Sequence, residues 1–413
     1  MLGSRSESSR RAEIAVWCAL VVLLLAGMRG LVYRVRLQFG DVTGSFLDDR
    51  PTQVVFHALY VVALAVGLGT GRIRIPGRVV VPLVALSTTL IASTAWSIDR
   101  GRTLNQSLLF ASGTLAVAIL SSRLQPIRLL SAVVAACSIA VVASVFARAL
   151  DWKFSVDRHG RLTGVFYNRN SLGAVAVMLV VASASWWWLE RSRPSVRWFG
   201  PFLVASGLVV WWRSGSATSM IAAVAGLAAG AWVVGRPRVP SRWRRTYSTV
   251  PAVVVLASIV AFAWRDTLAG WIGRDATFTG RTSTWDLLID TWQRRPLVGF
   301  GYFAGWFDPA LRVALKDIGY NHWEAHNGYL EVLLGAGLIG VAVLVWFLVA
   351  VGRVLNSRLD FVWSPWWVAA VVFALVSNIG ETNIGPNRFV WFVLVSAVMS
   401  AAGSSPDRSA RAD

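Results

Sequence analysis

Long apolar stretches separated by short polar segments run through the chain from residue 14 to residue 403. A helix that crosses a bilayer needs about 20 mainly apolar residues, and about twelve stretches approach that length. They are centred on residues 14–33, 52–69, 78–95, 104–120, 128–149, 170–189, 199–212, 218–234, 248–264, 328–351, 363–379 and 389–403. The pattern predicts an all-α membrane protein with about twelve transmembrane helices.

The spacing of the stretches divides the chain into five parts. We expect a cytoplasmic tail at 1–13, a bundle of about nine helices at 14–264, one long loop at 265–327, about three further helices at 328–403 and a second tail at 404–413. The first stretch is too long for a cleaved signal peptide and no small-residue cleavage site follows it, so we expect the amino-terminal segment to stay attached.

Composition agrees with a membrane location. Hydrophobic residues make up 55% of the chain and charged residues only 15%, whereas a soluble domain contains about 25% charged residues. The apolar content also argues against a disordered chain, because disordered chains lack the residues that form a core. We therefore expect a multi-pass membrane protein rather than a soluble enzyme.

The formal net charge of +19 is carried mainly by arginine. These arginines concentrate in alternate short loops, and short cytoplasmic loops retain basic residues. We therefore expect both termini in the cytoplasm and the loop 265–327 outside. Because topology and contact with anionic lipid headgroups account for the charge, membrane lipids are expected partners and nucleic acid is not.

The long loop contains an amphipathic pattern. Trp285, Leu288, Ile289 and Trp292 recur at helical spacing, and Ser283 with Asp286 forms a capping-box-like pair. This pattern predicts a short helix that lies on the outer membrane surface and ends before Pro296. Five tryptophans in this loop are too many for a disordered tether.

Arg281 falls just before the predicted start of this helix. Unpaired N–H groups and the helix dipole favour an anion there, and a guanidinium strengthens the preference. The alternative is that Arg281 only contacts lipid phosphates.

A second polar cluster begins where the chain re-enters the membrane at residue 326. Asn327 is a plausible N-cap for the next helix, and His326 before it could exchange a proton near neutral pH. Of the other histidines, His57 lies in an apolar stretch and is expected in the core, whereas His159 and His322 are expected as exposed loop residues.

Four further polar residues are expected near the same membrane face. Glu331 and Glu381 are ranked first, because charges at membrane depth usually face an aqueous cavity or a partner. Arg213, in a tight outer turn, could point into the cavity or reach lipid headgroups, and Asn170 opens the sixth stretch, where amides are most often helix caps. The two cysteines lie apart in apolar stretches, so no disulfide or metal site is expected.

Several motifs resemble the O-antigen ligase and polymerase superfamily, including its exopolysaccharide-production branch. RDATFTGRTSTW, RRPLVGFGYFAGW and AHNGYLEVLLGAGLIG, between residues 274 and 340, resemble its signature region. ASTAWSIDRGRTL (92–104), GVFYNRNSLG (164–173) and SNIGET (377–382) resemble the same family in the expected order. The resemblance covers about residues 90–395.

The resemblance implies a GT-C-like membrane glycosyltransferase with a large extracytoplasmic loop. Such proteins transfer a glycan from a polyprenyl (undecaprenyl-type) diphosphate carrier to a hydroxyl of a lipid or glycan acceptor, without nucleotide sugar, cofactor or metal. The family's loop arginine and histidine match Arg281 and His326. Its turn arginine has no direct match, since Ala217 stands in its place, and Arg213 is the nearest candidate for the second diphosphate contact.

Two alternatives remain open at the level of sequence. A polytopic transporter of polysaccharides or lipid-linked oligosaccharides would also be rich in apolar helices, although charges in mid-span and broken helices in matching halves would then be expected. Within the transferase hypothesis, ligase and polymerase share donor chemistry and differ only in the acceptor.

Overall fold

The computed structural model describes residues 2–29, 49–70, 77–166, 168–243, 281–320 and 323–404. Side chains are described from residue 7 onward, except those of residues 281 and 282. The predicted ninth stretch at 248–264 and His322 lie outside the described residues, as do residues 405–413 of the predicted tail.

The described chain is helical, which confirms the all-α prediction. Thirteen α-helices are present in the described segments. In chain order, α1 to α8 are Leu2–Gly27, Arg50–Gly69, Gly77–Ala92, Arg100–Arg123, Pro126–Ala149, Arg169–Glu190, Pro194–Ser214 and Ala217–Gly235. Helices α9 to α13 are Arg281–Gln293, Pro309–Asp317, Gly328–Asn356, Ser364–Gly380 and Phe389–Gly403.

Seven of these helices are long and apolar enough to cross a membrane, by length and composition within the described residues. They are α2, α3, α4, α5, α6, α8 and α11, while α12 and α13 are apolar but shorter. The count of about twelve spans therefore remains a prediction. Helix α1 differs from the expected boundaries, since it begins at Leu2 and ends at Gly27 rather than covering 14–33.

Short connections make sequence neighbours run antiparallel within the bundle. Helix α6 packs along α7, α8 along α12, α3 along α11, and α13 lies against both α4 and α12. The fully buried side chains of Phe110, Phe347 and Trp391 form tilted aromatic pairs inside this arrangement. Hydrogen bonds described below connect the starts of α6, α8 and α11 with the end of α12, and Arg388 at the start of α13 pairs with Glu324 shortly before α11. We call this the site end of the bundle.

A break in α11 creates a docking place for the loop. Gly337 has φ +62, outside the helical range, and the next two N–H groups leave the helical pattern. Leu338 N–H donates to the Pro296 carbonyl at 2.9 Å, and Ile339 N–H donates to the Leu297 carbonyl at 3.1 Å. Non-helical backbone at membrane depth requires such partners, so the break and the loop segment stabilise each other.

The same loop segment makes further hydrogen bonds to α11 and to the residues that follow α3. Phe300 N–H donates to the Leu334 carbonyl at 2.9 Å, while the Trp96 indole donates to the Val298 carbonyl at 2.7 Å. Tyr302 N–H donates to Ser93 Oγ at 3.1 Å. We call residues 296–302 the re-entrant segment, because it lies between α11 and the residues that follow α3.

The loop helix α9 is present, but its surroundings differ from the expectation. Trp285 and Leu288 are 6% and 2% exposed and pack in a small core with Phe300, Trp306 and Leu334. Thr284 and Thr291 share the buried stripe, whereas Ile289 and Trp292 are only partly buried. The helix thus covers protein rather than lying on the membrane surface, since the loop's own aromatic residues supply an apolar face.

Candidate functional site

His326 stands directly before α11, as the sequence predicted. Asn327 is the N-cap, and its Oδ1 accepts from the N–H groups of Tyr329 and Leu330 at 3.0 and 3.2 Å. His326 itself has φ +47, in the left-handed region that non-glycine residues rarely adopt. The cap ends the loop abruptly, and the left-handed turn at His326 directs the chain into the helix.

The peptide before His326 is held by a buried carboxylate. Glu331, one turn into α11 and 2% exposed, accepts from Ala325 N–H at 2.6 Å and from the Trp306 indole at 3.0 Å. The Trp285 indole donates to the Ala325 carbonyl at 2.8 Å. Both backbone polar groups of Ala325 are therefore satisfied, which fixes the position of the following His326.

The imidazole contacts a carboxylate from another helix. Nδ1 of His326 lies 3.4 Å from Oε2 of Glu381, which caps the end of α12. This separation is longer than an ordinary hydrogen bond. Because an ionised carboxylate only accepts, the contact favours the tautomer with the proton on Nδ1 and leaves Nε2 as an acceptor. Both side chains are mostly buried, 14% and 12% exposed.

Glu381 is positioned in turn by the start of α6. Asn170 Nδ2 donates to Glu381 Oε1 at 2.6 Å, and Asn170 Oδ1 accepts from Ser216 Oγ at 2.9 Å. Ser216 is the N-cap of α8 and follows the turn that holds Arg213. The network therefore connects α11, α12, α6 and α8 at the site end.

A second charged cluster contains Glu324, two residues before His326. Arg388, the N-cap residue of α13, forms a hydrogen-bonded ion pair with the Glu324 carboxylate. Arg29, just after α1, donates from Nε to the Asn387 carbonyl at 3.1 Å and from Nη2 to the Pro386 carbonyl. Two guanidinium groups from distant parts of the chain thus meet beside the loop residue Glu324.

Electrostatics identify Glu324 as the centre of this cluster. Burial raises the pKa of its carboxyl, but electrostatic interactions with Arg388, His326 and Arg29, together with the hydrogen bond from Arg388, outweigh burial and lower the pKa to about 2. The influence of His326 on Glu324 places the imidazole and the arginine cluster in one electrostatic environment. We call Arg29, Arg388 and Glu324 the arginine cluster.

Backbone strain concentrates around these residues. Six non-glycine residues in the described segments have positive φ, and four of them are Arg29, Phe303, His326 and Asn387. Such conformations cost about 1–3 kcal/mol each and persist where the surrounding structure enforces them, often at functional sites. Their grouping here supports the site end as the functional region.

The structure brings together most of the residues that the sequence singled out. His326, Asn327, Glu331, Glu381 and Asn170 meet at the site end.

The two predicted diphosphate contacts are placed only in part. Arg213 lies in the last turn of α7 with an exposed side chain, and its carbonyl accepts from Leu162 N–H at 3.0 Å. It therefore lies three residues from the network residue Ser216, beside the connection 150–168. Arg281 is the first residue of α9, and its side chain is outside the described set.

The remaining histidines are assigned as follows. His159 is exposed as expected. His57 is only partly buried, and its Nε2 lies 3.0 Å from Asn105 Oδ1, so it has a polar partner in a neighbouring helix. Within the residues that the structure describes, no group of three His, Cys, Asp or Glu side chains is arranged to hold a metal ion.

Sequence reasoning missed the arginine cluster. Arg29 stood inside an apolar stretch, where a charged residue is costly and usually functional, and this was a usable signal. Arg388 and Glu324 carried no comparable signal, because only the fold brings residues 29, 324 and 388 together.

Comparison with known proteins relates this region to a family. The O-antigen ligase family model matches residues 202–345, which include Arg213, the re-entrant segment and His326. Exopolysaccharide production protein ExoQ of Rhizobium meliloti (strain 1021) is 30% identical over 202 residues, which are 45% of this chain and 45% of that protein. The aligned part thus spans less than half of that relative. These two matches confirm the resemblance found in the motifs: over residues 202–345 the chain is similar to the O-antigen ligase family, and over 202 residues it is similar to an exopolysaccharide production protein.

Proposed function

We propose that the protein is a membrane glycosyltransferase that moves a glycan from a polyprenyl diphosphate carrier to an acceptor hydroxyl. The similarity to this family supports a membrane glycan-processing function. The observation that carries the chemical proposal is the His326–Glu381–Asn170 network, because it holds the imidazole in a fixed position against a carboxylate and close to the charges of Arg388 and Glu324.

The acceptor half of the reaction requires removal of a proton. In our proposal Nε2 of His326 takes the proton from the acceptor hydroxyl, while Glu381 stabilises the resulting imidazolium through Nδ1. The hydroxyl oxygen then forms a bond to the anomeric carbon of the donor. Asn170 would hold the Glu381 carboxylate in the required orientation, and Glu331 would hold the backbone before His326.

The donor half requires stabilisation of a leaving group. As the new bond forms, the bond between the anomeric carbon and the phosphate oxygen breaks, and its electron pair leaves on the polyprenyl diphosphate. Fixed guanidinium groups stabilise such developing negative charge and bind phosphate bidentately. We assign this role to Arg281 and Arg213, and the proposal gives no step to a metal ion or cofactor.

A lipid-linked donor also fits the architecture. Its polyprenyl tail remains in the bilayer while the diphosphate reaches the site end, so the substrate would enter sideways between helices. We propose that the protein lies in the inner (plasma) membrane with both termini in the cytoplasm and residues 265–327 outside. The basic residues of alternate loops support this orientation.

Incubation of purified protein with a polyprenyl-diphosphate oligosaccharide tests the proposal. Longer chains formed from the donor alone would identify a polymerase, whereas reaction only after addition of a lipid or glycan acceptor would identify a ligase. Polyprenyl diphosphate is released in both cases. Failure to release it under either condition, with transport of the oligosaccharide across proteoliposome membranes, would contradict the transferase proposal and support a transporter.

A further inference from the structure

Two arginines and a histidine act on the carboxylate of Glu324. Arg388 forms a hydrogen-bonded ion pair with it, and both His326 and Arg29 act on it electrostatically. The side chain of Arg388 is 14% exposed and that of Glu324 is 25% exposed. The arginine cluster is thus largely protected from solvent, where charge interactions are weakly screened.

The cluster is assembled by the backbone rather than by flexible surface side chains. Arg388 is the N-cap residue of α13, and the preceding Asn387 has φ +56 and accepts from Arg29. The Tyr60 hydroxyl donates to the Asn387 side chain, which fixes the strained turn from a third helix. The two arginines are therefore held near each other despite their mutual repulsion.

A structural ion pair needs only one cation for each carboxylate. Here Arg388 pairs with Glu324, and Arg29 also acts on the same carboxylate electrostatically. Like charges held close together away from water are costly, and an anion bound beside them lowers that cost. Nε of Arg388 is buried and makes no hydrogen bond within the described part of the chain. The Nε–H group of Arg388 can therefore donate to an oxygen of a bound ligand.

We propose that the arginine cluster is a phosphate-binding site of the lipid-linked donor, in which Glu324 occupies the phosphate position until the donor binds. This inference rests on the proposed function, because the ligand is the diphosphate of the polyprenyl carrier. On binding, a phosphate oxygen replaces the Glu324 carboxylate on Arg388, and Arg29 adds a second positive charge behind it. No covalent bond changes in this step.

The position of the cluster explains why this exchange would matter for the reaction. Glu324 is two residues before His326 in the chain, and its backbone carbonyl accepts from the Tyr320 hydroxyl at 2.7 Å. The backbone at Glu324 is therefore anchored while its carboxylate can leave Arg388. Because His326 acts electrostatically on the Glu324 carboxylate, a phosphate bound in its place would bring the leaving group near the acceptor base.

Opposite effects of two substitutions distinguish a replaceable carboxylate from a structural ion pair. The probe is a polyprenyl diphosphate without glycan, and its binding to the purified full-length protein in detergent is followed by tryptophan fluorescence. We expect Glu324→Gln to raise the affinity about tenfold, because a competing anion is removed, and Arg388→Gln to lower it about tenfold or more. Arg388→Lys, which retains the charge without the planar fork, should give an intermediate affinity.

A matched control comes from another ion pair in the same loop. Arg294 donates to Asp308 at 2.6 Å, and Asp308→Asn also converts a paired carboxylate to an amide, so it should leave the affinity unchanged. An affinity of Glu324→Gln that equals or falls below that of the wild type would overturn the inference. Should the wild type bind polyprenyl diphosphate no better than the uncharged polyprenol, the proposed donor itself would be wrong. That failure is distinct from a failure of Glu324 alone.

Discussion

The carboxylate of Glu331 accepts a hydrogen bond at 2.6 Å from the backbone N–H of Ala325, the residue directly before His326. The same carboxylate accepts from the Trp306 indole. Replacement by leucine leaves two buried donors without an acceptor, and each costs roughly 1–3 kcal/mol. We therefore expect Glu331→Leu to destabilise the protein by about 2–6 kcal/mol, seen as a lower midpoint of chemical unfolding in detergent.

An exposed acid of the same loop supplies the comparison for this variant. Asp290 on α9 is exposed, so Asp290→Leu should change stability by no more than about 0.5 kcal/mol. Equal unfolding midpoints for the two variants would show that Glu331 does not hold the loop.

The break in α11 depends on glycine. A Cβ on Gly337 would lie 2.4 Å from the carbonyl group of Leu297, and its φ of +62 disfavours any other residue. Gly337→Ala should therefore displace the re-entrant segment and reduce glycan transfer at least tenfold, together with faster proteolysis of the loop. Gly352→Ala is the matched control in the same helix, because nothing lies within 4 Å of its added Cβ. If Gly337→Ala behaves like Gly352→Ala, docking of the re-entrant segment does not govern activity.

Glu381 is predicted to act through His326. Glu381→Gln retains the size of the side chain and an oxygen for Asn170, but it removes the negative charge that stabilises the imidazolium. We expect kcat for glycan transfer to fall at least tenfold while the affinity for the donor changes little. Asn170→Ala should produce a smaller loss in the same direction. A fall in donor affinity with unchanged kcat would assign Glu381 to substrate binding instead.

Acid should weaken the fold through Glu324. The folded-state pKa of its carboxyl is about 2, below the ordinary value of 4.5, so the unfolded chain binds more protons between these values. The stability that Glu324 contributes is therefore fully present above about pH 4.5 and is lost as the pH falls toward 2. Unfolding at pH 5 and pH 3 should show a weaker pH dependence for Glu324→Gln than for the wild type. An identical dependence would mean that the Arg388 pair contributes nothing to stability.

Local sequence patterns correctly predicted helices and a helix cap, which depend mainly on residues close together in the chain. Helix α11 begins with the expected cap, Asn327, and the long apolar stretches became helices wherever the structure describes them. The prediction that α9 lies on the membrane surface was wrong, because the periodicity of its apolar face could not distinguish a lipid surface from the aromatic core of the loop. The pairing of Arg388 with Glu324 requires residues 64 positions apart to meet, which no local pattern encodes.

The sequence identified the residues of the site better than it identified the long-range contacts that hold them. Glu331 and Glu381 were chosen because charges at membrane depth need partners, and His326 because it precedes a helix and could exchange a proton. The structure supplies partners for all three. The break at Gly337 was not anticipated, since glycine in an apolar helix usually serves close packing. Its positive φ becomes meaningful only beside residues 296–302, which approach from a different part of the chain.

The central claim is that His326 accepts the proton of the acceptor hydroxyl at the site end. Its most direct test is the single-turnover rate of glycan transfer from a polyprenyl-diphosphate oligosaccharide, compared between the wild type and His326→Ala at equal amounts of folded protein. A general base contributes about 10²–10⁴-fold, so we predict a loss of that size with donor binding retained. An undiminished rate in His326→Ala would contradict the account.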